Sequence, residues 1–216
     1  MVVYRHATEP TGAATPPDRS DISLFLDIGQ GAGLAGASGV RPFLPPLLAG
    51  ALARGDMGLD FDGTSYDFLE SPGFLLAVLA LAVGAYALDR RRGDAQLRDR
   101  AELPMALAAV VLGALLFAGS LAEGHHESWP GIVGGVACAA LGYLAVAALF
   151  TRARRRVEGG AAGLLSFYAD AIALVLAALA IAVPPVGILA LVAFAVLVAR
   201  GRSTRDGKYE GLRILR

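Results

Sequence analysis

Cysteine and tryptophan are almost absent from this sequence, each occurring once in 216 residues. The single cysteine, Cys138, has no partner for an internal disulfide, and one cysteine cannot build a thiolate metal cluster. Charged residues are also scarce at 18%, against roughly a quarter in an average soluble domain. The composition therefore excludes a disulfide framework and argues against an ordinary water-soluble domain.

Sequence motifs of the common enzyme classes are missing as well. The sequence has no phosphate-binding loop, zinc-protease helix motif or serine-nucleophile elbow. We therefore predict that the protein is not an enzyme and uses no cofactor and no metal. Glu123, His125, His126 and Glu127 come nearest to a metal site, but adjacent histidines in a short loop are more often solvated.

Apolar residues, by contrast, are abundant and arranged in long runs. They make up 56% of the chain, and the mean hydropathy is +0.58. A bilayer crossing needs about 20 apolar residues. Six stretches meet or approach this length: residues 22–52, 73–88, 104–122, 130–150, 161–183 and 184–199. We predict an all-α, polytopic helical membrane protein with about six transmembrane helices.

The apolar region divides the chain into three parts. Residues 1–20 carry charge, proline and threonine without an apolar core, which predicts a disordered cytoplasmic tail rather than a signal peptide. Residues 21–200 form the predicted transmembrane domain. Residues 201–216 form a predicted basic cytoplasmic tail.

The charges between the apolar stretches predict an orientation. Arginine and lysine concentrate in residues 90–100, 152–156 and 200–216, whereas residues 54–70 and 123–127 are predominantly acidic. Because basic loops stay on the cytoplasmic side, a six-helix chain has both termini in the cytoplasm. We therefore expect a multi-pass protein of the cell (inner) membrane. A re-entrant first segment is the open alternative, and it changes the orientation of everything after it.

Two halves of the predicted bundle share weak features of an inverted 3+3 repeat. The first and fourth segments each hold a Gly-x-x-x-Gly step, Gly29/Gly33 and Gly131/Gly135. The third and sixth segments both begin at a proline. Inverted repeats of this kind are common in secondary transporters, although similar Ala- and Leu-rich helices also resemble one another by composition alone.

The first segment contains a charge where an apolar run is expected. Arg41 lies between Gly39 and Pro42, and Pro45 and Pro46 follow one turn later. Prolines deprive preceding carbonyls of their hydrogen-bond partners, and such a backbone is tolerated at membrane depth only inside protein or beside water. We predict a helix broken at these residues, with Arg41 at the break.

Asp170 in the fifth segment is the expected partner of Arg41, because a lone carboxylate at this depth must be paired or protonated. Ser38, Ser166 and Tyr168 complete the candidate site for substrate binding or gating. The alternatives are a purely structural Arg41–Asp170 clamp, or one of the two side chains reaching the aqueous interface.

Two motifs resemble a bacterial membrane family catalogued as domain of unknown function 4126. One is GLAGASGVRPFLPPLLAGALARGD, followed by ESP and a helix ending at Asp89, and the other is SFYAD around Asp170. The resemblance covers roughly residues 22–200, and it implies a multi-helix inner-membrane protein without assigning an activity. In that family a lysine and a proline tend to follow the aspartate, whereas three arginines follow Asp89 here.

These features predict a small secondary transporter or channel-like permease with a buried Arg41/Asp170 site. Its expected partners are the lipid bilayer, a small anionic solute and a second copy of the chain, because few helices favour a homodimer. Nucleic acid is not expected, since the arginines are accounted for by the membrane flanks. The alternative function is a non-transporting scaffold or assembly protein.

Overall fold

The computed structural model describes the backbone of residues 19–90, 95–154 and 162–210, and the side chains of residues 22–88, 102–150 and 167–201. Within these ranges the chain is helical and contains no β-strand, as predicted. The helices are α1 (Arg19–Val40), α2 (Leu44–Ala53), α3 (Pro72–Arg90), α4 (Ala95–Glu123), α5 (Trp129–Arg154), α6 (Ala162–Ala182) and α7 (Pro185–Glu210), with a 3-10 turn at Asp67–Glu70.

Five of the six predicted segments correspond to single helices, α3 to α7. Two stretches, Glu102–Glu123 and Trp129–Phe150, are long and apolar enough to cross a bilayer. Shorter apolar helical stretches occur at Leu44–Ala53, Pro72–Leu88, Phe167–Ala182 and Pro185–Gly201. The helices α4 and α7 are longer than predicted: α4 begins before Pro104, and α7 extends into the predicted C-terminal tail.

Helix α1 is the central element of the bundle. Residues 29–40 are all buried, and α1 packs against α4, α5, α6 and α7. Glycine permits this close packing at two places. A Cβ at Gly33 would lie 2.8 Å from the Cα of Gly187 in α7, and one at Gly39 would lie 2.8 Å from the backbone nitrogen of Tyr143 in α5. Small residues allow helix backbones to approach in this way.

The outer part of α1 lies among loops at one end of the bundle, here called the acidic end (loops 54–71, 124–128 and 183–184). The amide of Gln30 donates to the Gly58 carbonyl at 3.0 Å. The Asp60 N–H donates to Oε1 of Glu123 at 3.1 Å, which joins the first loop to the end of α4. Gly29 contacts the backbone of Pro184 between α6 and α7. The opposite end, where α5 ends and α7 ends, is called the basic end.

This arrangement corrects the prediction that residues 22–52 cross the bundle. From the acidic end, α1 descends to Arg41, and α2 returns toward the same end, where Gly50 contacts the backbone of Leu69. The two helices form a hairpin, named here the α1–α2 hairpin. Its second arm has 10 residues and is therefore only about 15 Å long, too short to cross.

The hairpin also changes the relation between the two ends of the described chain. Arg19 begins α1 at the acidic end, whereas α7 leaves that end at Pro185 and finishes at Glu210 on the opposite side. Residues 19 and 210 therefore lie toward opposite ends of the bundle, and the prediction that both ends of the chain share one side is not confirmed. Residues 1–18 and 211–216 lie outside the described residues, as does the expectation of a disordered N-terminal tail.

The inverted repeat is not confirmed. The first predicted segment is a broken hairpin, whereas its supposed counterpart, α5, is one continuous helix of 26 residues. The two Gly-x-x-x-Gly steps do support close packing, but with different neighbours. Gly29 and Gly33 face α7, and Gly131 and Gly135 face α4.

The break in the first segment is narrower than predicted. Helix α1 ends at Val40, and Pro42 lies in the non-helical link before α2. Pro45 and Pro46 lie in the first turn of α2, where their missing N–H groups would have no helical partner. Gly39 belongs to α1 and serves its contact with α5. Of the four residues predicted to break the helix, only Pro42 lies in the break.

Candidate functional site

The tip of the α1–α2 hairpin brings Arg41 to Asp170 in α6. Arg41 Nε lies 2.5 Å from Asp170 Oδ1, so the pairing expected from the sequence is present. The Arg41 N–H still donates to the Ala37 carbonyl at 3.0 Å, which holds the residue to the end of α1. Placing a cation directly after the C-terminus of a helix is favourable, because the helix dipole is negative there.

The depth of this ion pair follows from its position on α6. Asp170 lies roughly 12 Å along the axis from Ala162 at the basic end, and roughly 18 Å from Ala182 at the acidic end. The two side chains remain partly open, with 25% of Arg41 and 38% of Asp170 exposed. The pair therefore lies well inside the bundle, nearer the basic end, without being sealed by protein.

The other predicted site residues do not join this pair in the same way. Ser38 is fully buried, and its hydroxyl donates to the Leu34 carbonyl at 3.0 Å. Tyr168 is largely exposed and its ring packs edge-on against Phe167, with centroids 6.3 Å apart. Residues two apart on a helix do not share a face, so Tyr168 and Asp170 point in different directions. The side chain of Ser166 lies outside the described residues.

The Arg41–Asp170 pair can perform two kinds of chemistry. A guanidinium presents a planar fork of donors that suits carboxylate and phosphate groups, so an anion can take the place of Asp170 on Arg41. A carboxylate can also accept a proton, which would weaken its hold on the guanidinium. Protonation of Asp170 would therefore leave Arg41 more available to an anion.

A second pair of polar side chains meets at the acidic end, and the sequence did not predict this contact. Asp27 Oδ2, in the outer part of α1, is 3.5 Å from Nε2 of His126 in the loop between α4 and α5. Adjacent His125 points elsewhere: its φ is +60°, and its Nδ1 lies 3.0 Å from the Glu123 carbonyl. The residues Asp27 and His126 are far apart in the chain, so no local spacing could reveal the contact.

The loop before α3 holds a third group, formed by acidic side chains. Ligand oxygens of Asp60, Asp62 and Glu70 lie within 4.8 Å of one another. Burial raises the pKa of Glu70 to about 6, and a hydrogen bond with Asp62 and repulsion from Asp62, Asp60 and Asp56 add to the rise. Because these carboxylates are mostly exposed, we assign them no ligand.

The family described as "Domain of unknown function (DUF4126)" matches residues 28–203. The chain belongs to this family. No curated protein and no solved structure matches the chain. The DUF4126 region includes the hairpin tip and α6, so both Arg41 and Asp170 lie within the family domain.

Membership of DUF4126 confirms the resemblance seen in the sequence, but it brings no activity with it. Evidence for a function therefore comes from the residues themselves. In this DUF4126 chain the feature with the clearest chemistry is the ion pair at the tip of the hairpin, because it places opposite charges deep among apolar helices.

Proposed function

We propose that this protein is an integral membrane permease that carries a small anion, with Arg41 and Asp170 as its binding and gating pair. The observation that carries the proposal is the partly exposed Arg41–Asp170 ion pair at the tip of a re-entrant hairpin. The expectation of a homodimer stays a prediction, since a single chain is described.

The membrane setting is supported by apolar side chains on the outer faces of the bundle. Leu76 in α3, Val133 in α5 and Leu189 in α7 are each at least 60% exposed. Water-soluble monomers rarely expose contiguous apolar surfaces of this kind, whereas lipid tails solvate them. In this setting α3 to α7 are five crossings, and the hairpin enters from the acidic end.

The charges at the two ends support one orientation of this arrangement. Basic residues flank the ends of α3, α5 and α7, and acidic residues dominate the loop before α3. The basic end is therefore cytoplasmic under the positive-inside rule. The hairpin then starts outside, so we propose an external N-terminal side and a cytoplasmic C-terminal side.

Solute access is supported by the exposure of the ion pair. A charged side chain facing lipid at this depth is costly, by about 2.5–3.5 kcal/mol on insertion scales. Re-entrant backbone is likewise tolerated only where protein or water surrounds it. The exposed parts of Arg41 and Asp170 are therefore expected to face a water-filled recess, which opens toward the nearer, basic end.

The transport step follows from these charges. An anion entering the recess displaces the Asp170 carboxylate from Arg41, and protonation of Asp170 favours the exchange. When the anion leaves, Asp170 loses its proton and pairs with Arg41 again. This sequence predicts anion uptake coupled to a proton, and it requires no covalent chemistry.

Flux through proteoliposomes tests the proposal. Chloride, acetate and phosphate are loaded in turn, and their efflux is recorded with and without a pH gradient. Wild-type protein is expected to pass at least one of them. Arg41→Ala should lower that flux about tenfold or more, because it removes the charge that binds the anion. Asp170→Asn should make the flux insensitive to the pH gradient, because the amide cannot take up a proton. Arg54→Ala is the matched control, since Arg54 is an exposed arginine at the end of α2. No flux of any of these anions by folded wild-type protein would refute the proposal.

The double variant Arg41→Asp/Asp170→Arg separates transport from a structural clamp. A clamp needs only opposite charges, so the swap would restore both folding and cellular function. A transport site needs a cation on the hairpin, so the swap would restore folding without flux. Recovery of function by the swapped protein would favour the scaffold alternative.

A further inference from the structure

The outer part of α1, residues 22–28, packs against the rest of the protein at Asp27. Within this stretch Asp27 is the one residue that is not exposed, whereas residues 29–40 are all buried. Gly29 already contacts the backbone of Pro184 at the acidic end. The outer part of α1 therefore extends roughly 10 Å past that contact, and Asp27 is its outermost point of close packing.

The contact that Asp27 makes is ionic. Its Oδ2 atom lies 3.5 Å from Nε2 of His126, in the loop between α4 and α5. Both atoms are buried, and neither forms a hydrogen bond to the described residues. The attraction therefore depends on the proton that gives the imidazole its charge, and water and salt screen a buried pair much less than an exposed one. Gly124 leaves room for the pair, because a Cβ at that position would collide with Asp27 Oδ2.

The charged groups from neighbouring elements around this pair are carboxylates. The Glu123 carboxylate, at the end of α4, is within Coulombic range of Asp27, and its Oε1 accepts the Asp60 N–H at 3.1 Å. Other carboxylates of the loop before α3 surround Glu70. Without a proton on His126, the Asp27 carboxylate would be repelled by Glu123 and would touch no cation among the described residues.

The other titratable groups of the loop between α4 and α5 have partners of their own. His125 has a φ of +60°, and its Nδ1 lies 3.0 Å from the Glu123 carbonyl. Glu127 Oε2 accepts the indole N–H of Trp129 at 3.1 Å. The loop between α6 and α7, which also meets α1, carries no ionisable side chain. His126 is therefore the group whose proton acts directly on the outer part of α1.

We infer that the Asp27–His126 pair is a pH-sensitive latch, closed when His126 is protonated and open when it is neutral. Histidine usually changes charge between pH 5 and 8. Loss of the proton leaves a buried carboxylate without a cation, which is strongly destabilising. The outer part of α1 is therefore expected to swing away and expose Asp27 to water.

The latch does not depend on the proposed transport, because neither Arg41 nor Asp170 takes part in it. Either inference can therefore fail while the other stands. In the proposed orientation the latch lies outside the membrane and responds to the pH outside the cell.

A distance measurement across the latch tests this inference in the full chain. Spin labels are attached to Ile22→Cys in α1 and Ile132→Cys in α5, both exposed positions, after Cys138→Ser removes the native thiol. Double electron–electron resonance then records their separation in detergent at pH 5.5 and at pH 8. We expect the ratio of the longer to the shorter separation to rise about fivefold at pH 8, the effect of losing one ion pair.

His126→Gln and Asp27→Asn should each abolish this pH dependence, because each removes one charge of the pair. His125→Gln is the matched control and should keep it, since the His125 ring is directed at the Glu123 carbonyl. A pH-dependent separation that is lost in both latch variants and kept in the control supports the latch. An equal separation at both pH values in folded protein with the latch intact overturns it. So does a pH dependence that survives in either latch variant or disappears from the control.

Discussion

Glu70 ends the 3-10 turn that leads into α3, and its side chain faces neighbouring carboxylates. Partial burial is the main cause that raises its pKa to about 6, and contact with Asp62 adds to it. The folded protein therefore binds this proton more tightly than the unfolded chain, whose pKa is near 4.5. By linkage, the stability contributed by Glu70 falls as pH rises from about 4.5 to about 6.

Substitution of Glu70 by glutamine should remove this pH dependence, because the amide does not ionise. Thermal unfolding of both proteins in detergent between pH 4 and 7.5 measures this pH dependence of stability. The melting temperature of Glu70→Gln relative to wild type should increase across the interval, by about 1–3 °C in total. Parallel curves for the two proteins would show that the Glu70 proton is not coupled to folding.

Charged residues inside apolar runs were the part of the site that sequence reasoning could predict. Arg41 and Asp170 each lack a charged neighbour on their own helix, so physical chemistry requires each to find a partner elsewhere. Ser38 shows the limit of that reasoning. A hydroxyl near a charge looked like part of a site, yet it is satisfied by the Leu34 carbonyl of its own helix.

At the scale of helices, glycine sets how closely α4 and α5 approach. A Cβ at Gly135 would lie 2.6 Å from the Cα of Ala114 and 2.8 Å from the Gly113 carbonyl oxygen. Both neighbours are backbone atoms that cannot move without shifting a helix. By contrast, a Cβ added to Gly84 in α3 would meet no atom within 4 Å, so Gly84 supplies a matched control.

Gly135→Ala is therefore expected to destabilise the protein by about 1–3 kcal/mol, the usual cost of overpacking. Gly84→Ala should be neutral or stabilising by up to about 1 kcal/mol, because alanine has the higher helix propensity. Reversible unfolding in mixed micelles compares the two. Equal stabilities for both variants would mean that α4 and α5 are not in close contact.

The same scale explains why most helices could be predicted and the hairpin could not. Apolar length marks α3 to α7, since each predicted stretch corresponds to one helix. Proline marked the break at Pro42 but could not specify the direction of the chain after it. That direction depends on contacts distant in sequence, such as Gln30 with Gly58 and Gly33 with Gly187. The basic loops could not distinguish a hairpin from a full crossing of the first segment. In both arrangements the loops after α3 carry the same charges and lie on the same sides.

At the scale of the whole molecule, the hairpin determines on which side of the membrane α1 begins, and this side can be measured. Five crossings plus a hairpin put the start of α1 on the same side as the loop before α3, and opposite the end of α7. Six crossings would instead put the start of α1 with the end of α7. The two arrangements differ at exposed Ile22, whereas Asp62 and Arg200 serve as fixed references.

Single cysteines at these three positions distinguish the arrangements. The only native cysteine, Cys138, is first replaced by serine, and Ile22→Cys, Asp62→Cys and Arg200→Cys are made separately in that background. A membrane-impermeant maleimide added to intact cells should label positions 22 and 62, while position 200 should react only after permeabilisation. If position 22, like position 200, reacts only after permeabilisation, the first segment crosses the membrane fully. Arg41 would then lie within a continuous membrane segment. If position 22 is instead labelled in intact cells, as position 62 is, the chain must turn back near Arg41. Only a reversal there places both ends of the α1–α2 hairpin on one side of the membrane.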